Sequence, residues 1–341
     1  MKQKQGKETG ISRRRFFQII ALSGAAGLCW QFGLKTKNPT GQVVRQSRTM
    51  MGTQINLVVY GPDRDSCEDA IQSTFARMDE LIGMLSRHNP ESELSTLNRQ
   101  GILERPGNDI RGVLLLADQI SKSTGGAFDV TVLPLQELYS RSKIENSLPA
   151  HEAINSALQL IDYRKIDIRQ HSITLGKQGM AVTLDGIGKG FIVDQGVGVL
   201  KSKGFASVYV EAGGDLMISG AKAGKRPWQI GIRNPRPTTS NELITVSLTN
   251  RAVATSGDYM QPFSADLRHH HIIDPRTVIS PPELASATVT APTVALADGL
   301  ATAAMVMGPE KSLKHFASIP DCECLLIGKN LINYQTNGFH S

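Results

Sequence analysis

Apolar residues recur along the chain with two periods, and each period predicts a kind of element. Ile55, Leu57 and Val59 alternate with polar or surface positions, which predicts a strand. In residues 65–85 the apolar positions are spaced by three and four, as on the buried face of a helix. Those positions are Cys67, Ala70, Ile71, Phe75, Met78, Leu81, Ile82 and Leu85.

Further along, helical spacing gives way to alternation. Helices are predicted at 109–124, before Gly125-Gly126, and at about 190–203. Five short strands follow, at 207–211, 215–219, 228–232, 243–248 and 251–256. A small-residue helix at about 294–307 precedes a closing strand near 324–327. This order predicts an α+β fold in which helices pack on antiparallel sheets.

The basic charge of the chain is concentrated at its start. The formal net charge is +6, yet residues 1–38 carry eight Lys and Arg against Glu8 alone, so the remainder is close to neutral. Only 5% of residues are aromatic and no basic stripe follows. A nucleic-acid partner is therefore not expected.

Residues 1–34 have the pattern of a twin-arginine export signal. Arg13, Arg14 and Arg15 precede Phe16-Phe17, and an apolar, Gly- and Ala-containing run follows from Ile19 to Trp30. The run is too short for a comfortable membrane span, and an amphipathic surface anchor is the alternative interpretation. We expect a leader at 1–34, a linker at 35–42 and a single catalytic unit at 43–341. This predicts a periplasmic protein recognised by the twin-arginine export machinery, with an inner-membrane tether if the leader is not cleaved.

The four cysteines do not form a disulfide framework. Cys29 lies in the predicted leader, Cys67 stands alone, and Cys322 and Cys324 are too close in sequence for an easy bridge. They are interpreted as mostly structural.

Residues 183–190 (TLDGIGKG) form the densest glycine segment beside a lysine. Glycines let backbone amides approach a ligand, and Lys189 has the charge to neutralise a phosphate. The spacing is neither that of a Walker A loop nor of a dinucleotide fingerprint. A tight turn explains the segment equally well.

Asp298 and Thr302 are four residues apart and share a face of the last predicted helix. A carboxylate and a hydroxyl together suit a hard cation such as Mg²⁺. A solvated Asp with a Thr bonded back to its own helix is the simpler alternative.

Three consecutive histidines, His269, His270 and His271, precede an Asp-Pro turn. In an extended segment neighbouring side chains point to opposite sides, so only His269 and His271 can share a face. Zinc would need further ligands, and no HxxxH or CxxC motif accompanies them. The residues alone leave a functional His271 and a surface His271 equally open.

Taken together and in order, eight blocks resemble the ApbE family of FAD:protein FMN transferases. The blocks are Met51-Gly52-Thr53, 92–98 (SELSTLN), 126–131 (GAFDVT), 186–190 (GIGKG) with Asp194, 213–215 (GGD), 255–259 (TSGDY), 271–275 (HIIDP) and Ala297-Asp298 to Thr302. The resemblance runs from about Val43 to near the C-terminus, and it implies a T-fold-like arrangement of antiparallel sheets with packed helices.

The resemblance also implies an activity. Such enzymes cleave FAD with Mg²⁺, attach FMN through a phosphoester to a Thr or Ser hydroxyl of an acceptor protein, and release AMP. The implied acceptor here is a flavoprotein of a membrane or periplasmic electron-transfer chain. The implied metal ligands are Asp298, Thr302 and the carbonyl of Gly186, and His271 is the implied catalytic residue. The implied FAD contacts are Met51, His88, Ala127, Phe128, Asp129, Thr183, Lys189 and Ile273.

Several positions depart from the family pattern. Thr183 stands where many members have Asp, Asp185 where Gly is usual, and His88 where an aromatic residue is common. Val278 replaces a usual Gly, and Ala301 occupies a position where some members carry a further carboxylate. Two alternatives stay open at this point: an FAD-binding accessory protein without transferase activity, and an FAD pyrophosphatase that yields FMN and AMP.

Overall fold

The computed structural model describes residues 41–145, 149–220, 227–236 and 244–339. Its helices are α1 (Arg64–Leu85), α2 (Glu93–Gln100), α3 (Asn108–Ser123), α4 (Leu133–Glu145), α5 (His151–Leu158), α6 (Gly188–Ser202) and α7 (Val294–Phe316). Its strands are β1 (Gln42–Met50), β2 (Thr53–Gly61), β3 (Ile102–Glu104), β4 (Ile166–Ile168), β5 (Ser172–Leu175), β6 (Ser207–Ala212), β7 (Asp215–Ser219), β8 (Trp228–Ile232), β9 (Ile244–Leu248), β10 (Arg251–Gly257), β11 (Leu284–Ala291), β12 (Glu323–Gly328) and β13 (Asn333–Gln335).

An antiparallel sheet of eight strands forms the centre of this part of the chain, in the order β1-β2-β6-β7-β10-β11-β12-β13. A three-stranded sheet (β3-β5-β4) and the β8-β9 hairpin complete the described strands. Because the strands are antiparallel and the helices are grouped rather than alternating with them, the predicted α+β class is confirmed.

The central sheet is buried on both faces by different layers. Along β2, Ile55, Leu57 and Val59 join the core beneath α1, α6 and α7, whereas Val58 and Tyr60 face a second cluster around the β8-β9 hairpin. Side chains alternate between the two faces of a strand, so one sheet serves two cores.

The longest helices pack closely enough to require small residues. A Cβ at Gly196 of α6 would lie 2.4 Å from Met78 Cε of α1. Where α6 meets α7, a Cβ at Gly190 would lie 2.6 Å from the main chain of Val294. The second contact places the residues that begin α6 against the first turn of α7.

The predicted elements recur with small shifts. The helix predicted at 294–307 is interrupted where expected, since Gly308 has φ 75° and Pro309 follows, but helical geometry resumes to Phe316. The strand predicted near 324–327 is confirmed as β12, but it is not the last strand, because β13 pairs beyond it. The pattern also failed to predict the helices α2, α4 and α5 and the strands β1, β3, β4, β5 and β11.

The predicted leader at 1–34 and residues 35–40 of the predicted linker lie outside the described residues, and β1 begins at Gln42. No helix within the described ranges is long and apolar enough to cross a membrane.

Candidate active site

A cleft opens where α6, α7 and the central sheet meet. Its lining includes ten of the twelve residues that the resemblance implied: Ala127, Phe128, Asp129, Thr183, Gly186, Lys189, His271, Ile273, Asp298 and Thr302. These residues are spread over more than 170 positions of sequence, so it is the fold that assembles them.

Asp298 and Thr302 lie on consecutive turns of α7 and face the cleft. Asp298 is 5% exposed, and its Oδ2 accepts one hydrogen bond from the N–H of Gly190 at 3.3 Å. Thr302 Oγ1 lies 3.2 Å from Ser256 Oγ of β10. A Cβ at Gly186 would lie 3.0 Å from the same Thr302 oxygen, so the glycine loop touches this face of the helix.

Two carboxylates compete for one lysine at the floor of the cleft. Lys189 Nζ donates to Asp215 Oδ2, and Asp215 is 1% exposed and also accepts from the N–H of Thr255 at 3.3 Å. Burial acts to lower the pKa of Lys189, but the negative charges of Asp215 and Asp298 outweigh burial and raise this pKa. Burial and the charge of Asp215 raise the pKa of Asp298 to about 7, against the opposing effect of Lys189.

A third buried carboxylate fixes the start of α7. Asp194 of α6 accepts from the N–H groups of Val294 at 2.8 Å and Ala295 at 2.9 Å. These donors have no partner within the helix, and an acceptor here satisfies them. Burial raises the pKa of Asp194 to about 6, although both hydrogen bonds oppose that shift.

The three histidines have three different environments. His269 is exposed, His270 is fully buried, and His271 lines the cleft. Burial lowers the pKa of His270 to about 4. Burial also lowers the pKa of His271, and the charge of Asp185 opposes this. Since no group of three or more His, Cys, Asp and Glu side chains converges within the described residues, the structure gives no support for a zinc site there.

His271 is held by its main chain while its ring keeps free capacity. Its N–H donates to the carbonyl of Gln261 at 3.1 Å, and its carbonyl accepts from Gln136 Nε2 at 3.2 Å. Its Nδ1 is buried and has no hydrogen-bond partner among the described residues. A buried polar atom of this kind is usually satisfied by a ligand or water that the protein atoms do not supply.

One part of the cleft lining is largely apolar. Ala127, Phe128 and Ile273 are buried there, and Thr183 is anchored by its N–H to the carbonyl of Val130 at 2.8 Å. Asp129 is also in this part of the lining, but its Oδ1 accepts from Thr131 N and Oγ1, and its Oδ2 from Tyr163 N. The Asp129 carboxylate therefore has a local structural task.

Two implied FAD contacts do not line this cleft. Met51 occupies the turn between β1 and β2 with φ 51°, half-buried against the core. His88 is exposed in the connection after α1.

Sequence reasoning assigned no role to Asp215, Asp194 or Arg87. Asp215 and Asp194 stood within blocks of the resemblance, and a carboxylate beside glycines was the available signal. Arg87 gave no signal, because its cleft neighbour Asp185 is 98 positions away in the sequence.

The geometry can be compared with known proteins. The sequence profile of the ApbE family matches residues 51–326. The chain belongs to the ApbE family. Similar members include proteins named FAD:protein FMN transferase from Treponema pallidum, 29% identical over 306 residues and 83% of each chain, and from Haemophilus influenzae. The latter is 31% identical over 309 residues, covering 86% of this chain and 89% of the relative.

The fold of the ApbE family is also recovered in three dimensions. The structure titled flavin transferase ApbE from Vibrio cholerae matches with a TM-score of 0.78 at 27% identity, covering 88% of this chain and 98% of its own. The resemblance carried by the eight blocks is thus confirmed at the level of family and fold.

Proposed function

We propose that this chain is a Mg²⁺-dependent FAD:protein FMN transferase. The hydroxyl oxygen of an acceptor Thr or Ser attacks the FMN phosphorus of FAD, and the bond from that phosphorus to the bridging oxygen breaks. AMP leaves with the bonding electron pair, and the hydroxyl proton passes to a base. The family membership and the transferase names of its relatives support this reaction.

The observation that carries the proposal is the charge of the cleft. Asp298, Asp215, Asp185 and Asp129 bring four carboxylates to it or its floor, whereas Lys189 and Arg87 are the strongly basic residues in its described lining. A pyrophosphate would add further negative charge. Such a substrate needs an additional cation, which makes a divalent metal part of the proposal.

The residues present fit a hard cation. Asp298 offers a buried carboxylate with a single long hydrogen bond, and Thr302 and Gly186 place a hydroxyl and a main-chain segment beside each other. These oxygen donors would hold Mg²⁺, which would supply charge neutralisation to the phosphoryl oxygens. Lys189, fixed by Asp215, keeps a positive charge at the same floor.

His271 is the proposed base. Its lowered pKa keeps the imidazole neutral near pH 7, and a neutral imidazole can accept the proton of the attacking hydroxyl. The apolar wall of Ala127, Phe128 and Ile273 suits the flavin ring, and Thr183 adds a polar contact. Met51 and His88 remain FAD contacts by resemblance alone.

The test is AMP release from FAD and Mg²⁺, with and without a Thr-bearing acceptor, together with in-gel flavin fluorescence of the denatured acceptor. Acceptor-dependent AMP with a covalently fluorescent band is the expected result. AMP that is independent of the acceptor would identify an FAD pyrophosphatase. Bound FAD without AMP would identify an accessory protein.

We also propose export by the twin-arginine machinery and an acceptor in a membrane or periplasmic electron-transfer chain. The support is the Arg13, Arg14 and Phe16 pattern of the leader, which lies outside the described residues. An Arg13→Lys, Arg14→Lys variant should stay in the cytoplasm in fractionation experiments, and normal export of that variant would refute the export proposal.

A further inference from the structure

Arg87 lines the same cleft but has no hydrogen-bond partner there. Its side chain is 31% exposed, and its Nε is buried without a hydrogen-bond acceptor among the described residues. A guanidinium carries five donors in a fixed fork that matches carboxylate or phosphate oxygens. The terminal nitrogens Nη1 and Nη2 also make no hydrogen bond among the described residues and are not buried, so they are the donors that a ligand in the cleft can reach.

The one carboxylate near Arg87 in the described residues does not satisfy it. Asp185 Oδ2 lies 3.4 Å from Arg87 Nε, an ion pair without hydrogen-bond geometry. The Asp185 side chain is 48% exposed, so water screens the pair and weakens it. Asp185 therefore lies beside the guanidinium at the mouth of the cleft without occupying its hydrogen-bond donors.

The other strongly basic residue of the described lining is already engaged. Lys189 donates to Asp215 and also lies in the field of Asp298. Its positive charge is thus largely balanced within the protein. Arg87 is the cation of this cleft with charge and donors left for an incoming anion.

Arg87 is also close to the reacting centre. Asp185, its partner, precedes Gly186 in the chain, and the charge of Asp185 acts on both Asp298 and His271. An anion bound between Asp298 and His271 therefore lies near the position where the guanidinium is held.

We propose that Arg87 binds the phosphoryl oxygens of the dinucleotide, and that this contact replaces its weak ion pair with Asp185. The identity of the ligand rests on the proposed function. The contact itself rests on the half-buried guanidinium, whose donors make no hydrogen bond among the described residues.

Equilibrium binding separates this role from a structural one. Kd values for FAD and for riboflavin, which lacks phosphate, are measured by flavin fluorescence on the full chain without acceptor. Arg87→Ala should raise the Kd for FAD about 10- to 100-fold and leave that for riboflavin within about twofold. Arg87→Lys should recover part of the loss, because it restores the charge without the fork.

Asp185→Asn distinguishes the two members of the pair. If Asp185 is only a weak partner that the ligand displaces, this variant should bind FAD as well as the wild type or a few-fold more tightly, because a competing negative charge is gone. If the pair were a structural clamp, Asp185→Asn would weaken FAD binding as Arg87→Ala does, and the proposal would be wrong. Arg64→Ala, at an exposed ion pair on α1, is the matched control and should change neither Kd.

The outcomes also separate this inference from the proposed function. If the wild type bound no FAD, the proposed function would be wrong and Arg87 would have no dinucleotide to bind. A wild type that binds FAD, with Arg87→Ala equal to it or with FAD and riboflavin weakened alike, would defeat the inference alone. Thermal unfolding of each variant establishes that the compared proteins are folded.

Discussion

The floor and the mouth of the cleft are built differently. At the floor, Asp215 accepts from Lys189 and from a strand N–H. Outside the lining, Asp194 accepts two N–H groups at the start of α7, the helix that carries Asp298 and Thr302. At the mouth, Arg87 Nε and His271 Nδ1 have no hydrogen-bond partner among the described residues. The floor lies on helices and sheet, whereas the mouth lies on connecting segments.

The difference indicates that the floor and the mouth of the cleft have different roles. Groups whose hydrogen bonds are complete are fixed before any substrate arrives, which is the arrangement that electrostatic stabilisation of a reacting phosphate needs. Groups with unused donors and acceptors gain partners only when a substrate binds. Substitutions at the floor should therefore abolish chemistry or stability, and substitutions at the mouth should mainly change binding and proton transfer.

The largest expected effect is that of Asp298→Ala. A hard cation would lose its only carboxylate ligand on α7, and Mg²⁺-dependent AMP release should fall about 1,000-fold or more. The folded state should not suffer equally, because the carboxylate is buried with only one long hydrogen bond. AMP release and urea unfolding are measured together.

Asp79→Ala is the control for that experiment, since Asp79 is an exposed carboxylate paired with Arg48 on the surface. It should retain activity. Full Mg²⁺-dependent activity in Asp298→Ala would overturn the assignment of the floor as the metal site.

Next in size is the contrast between His271→Ala and His269→Ala. The first should slow FMN transfer about 100- to 10,000-fold, as expected for loss of a general base. The second should be nearly silent, because His269 is exposed and does not line the cleft. Rates of acceptor labelling give the comparison, and equal losses would revive a site shared by both histidines.

The third effect in order of size is a loss of folding stability on substitution of Asp194. Asp194→Ala leaves the N–H groups of Val294 and Ala295 without their acceptor, which should cost about 2–4 kcal/mol in free energy of unfolding. Thr293→Ala removes a longer, exposed bond to Leu296 N of 3.3 Å and should cost less, about 0.5–1 kcal/mol. Urea unfolding at pH 5, below the raised pKa of Asp194, ranks the two, and an equal cost would mean that Asp194 does not anchor α7.

Asp194 also predicts a pH dependence. Because its pKa rises from 3.8 to about 6 on folding, the folded chain binds this proton more tightly than the unfolded chain. Stability from this group is present at about pH 4 and is lost as the pH rises towards about 6. Asp194→Asn should lack this component of the slope, and an unchanged slope would show that other groups produce it.

The sequence predicted helices and strands well where one face of the element is buried and the other is more exposed. The alternation of Ile55, Leu57 and Val59 is visible because intervening positions are more exposed. Strand β11 was missed although Ser286, Thr288 and Thr290 alternate with apolar positions, because most of those apolar positions are Ala and give a weak signal, and all eight residues are buried. Strand β1 was missed for the opposite reason, since it is an edge strand with mostly exposed side chains.

The site was predictable only in part, because local patterns do not encode pairing between distant elements. Asp298 and Thr302 share one helix, so their spacing gave their common face. The pair of Lys189 and Asp215 joins a helix to a strand, and the pair of Arg87 and Asp185 joins two connections. Such pairs follow from the packing of α6 and α7 on the sheet, which no short stretch specifies.

The smallest predicted effect is a shift in the pH profile at the mouth. Burial lowers the pKa of His271 from its ordinary value of 6.5, so a base at this position stays neutral to lower pH, and the acid limb of kcat/KM should lie below pH 6.5. Asp185 opposes the lowering, so Asp185→Asn should move the limb further down. AMP release at saturating Mg²⁺ between pH 5 and 8 measures both. An acid limb above pH 6.5, or an upward shift of that limb in Asp185→Asn, would assign the titration to a group other than His271. His271 would then not be the base of the proton-transfer step.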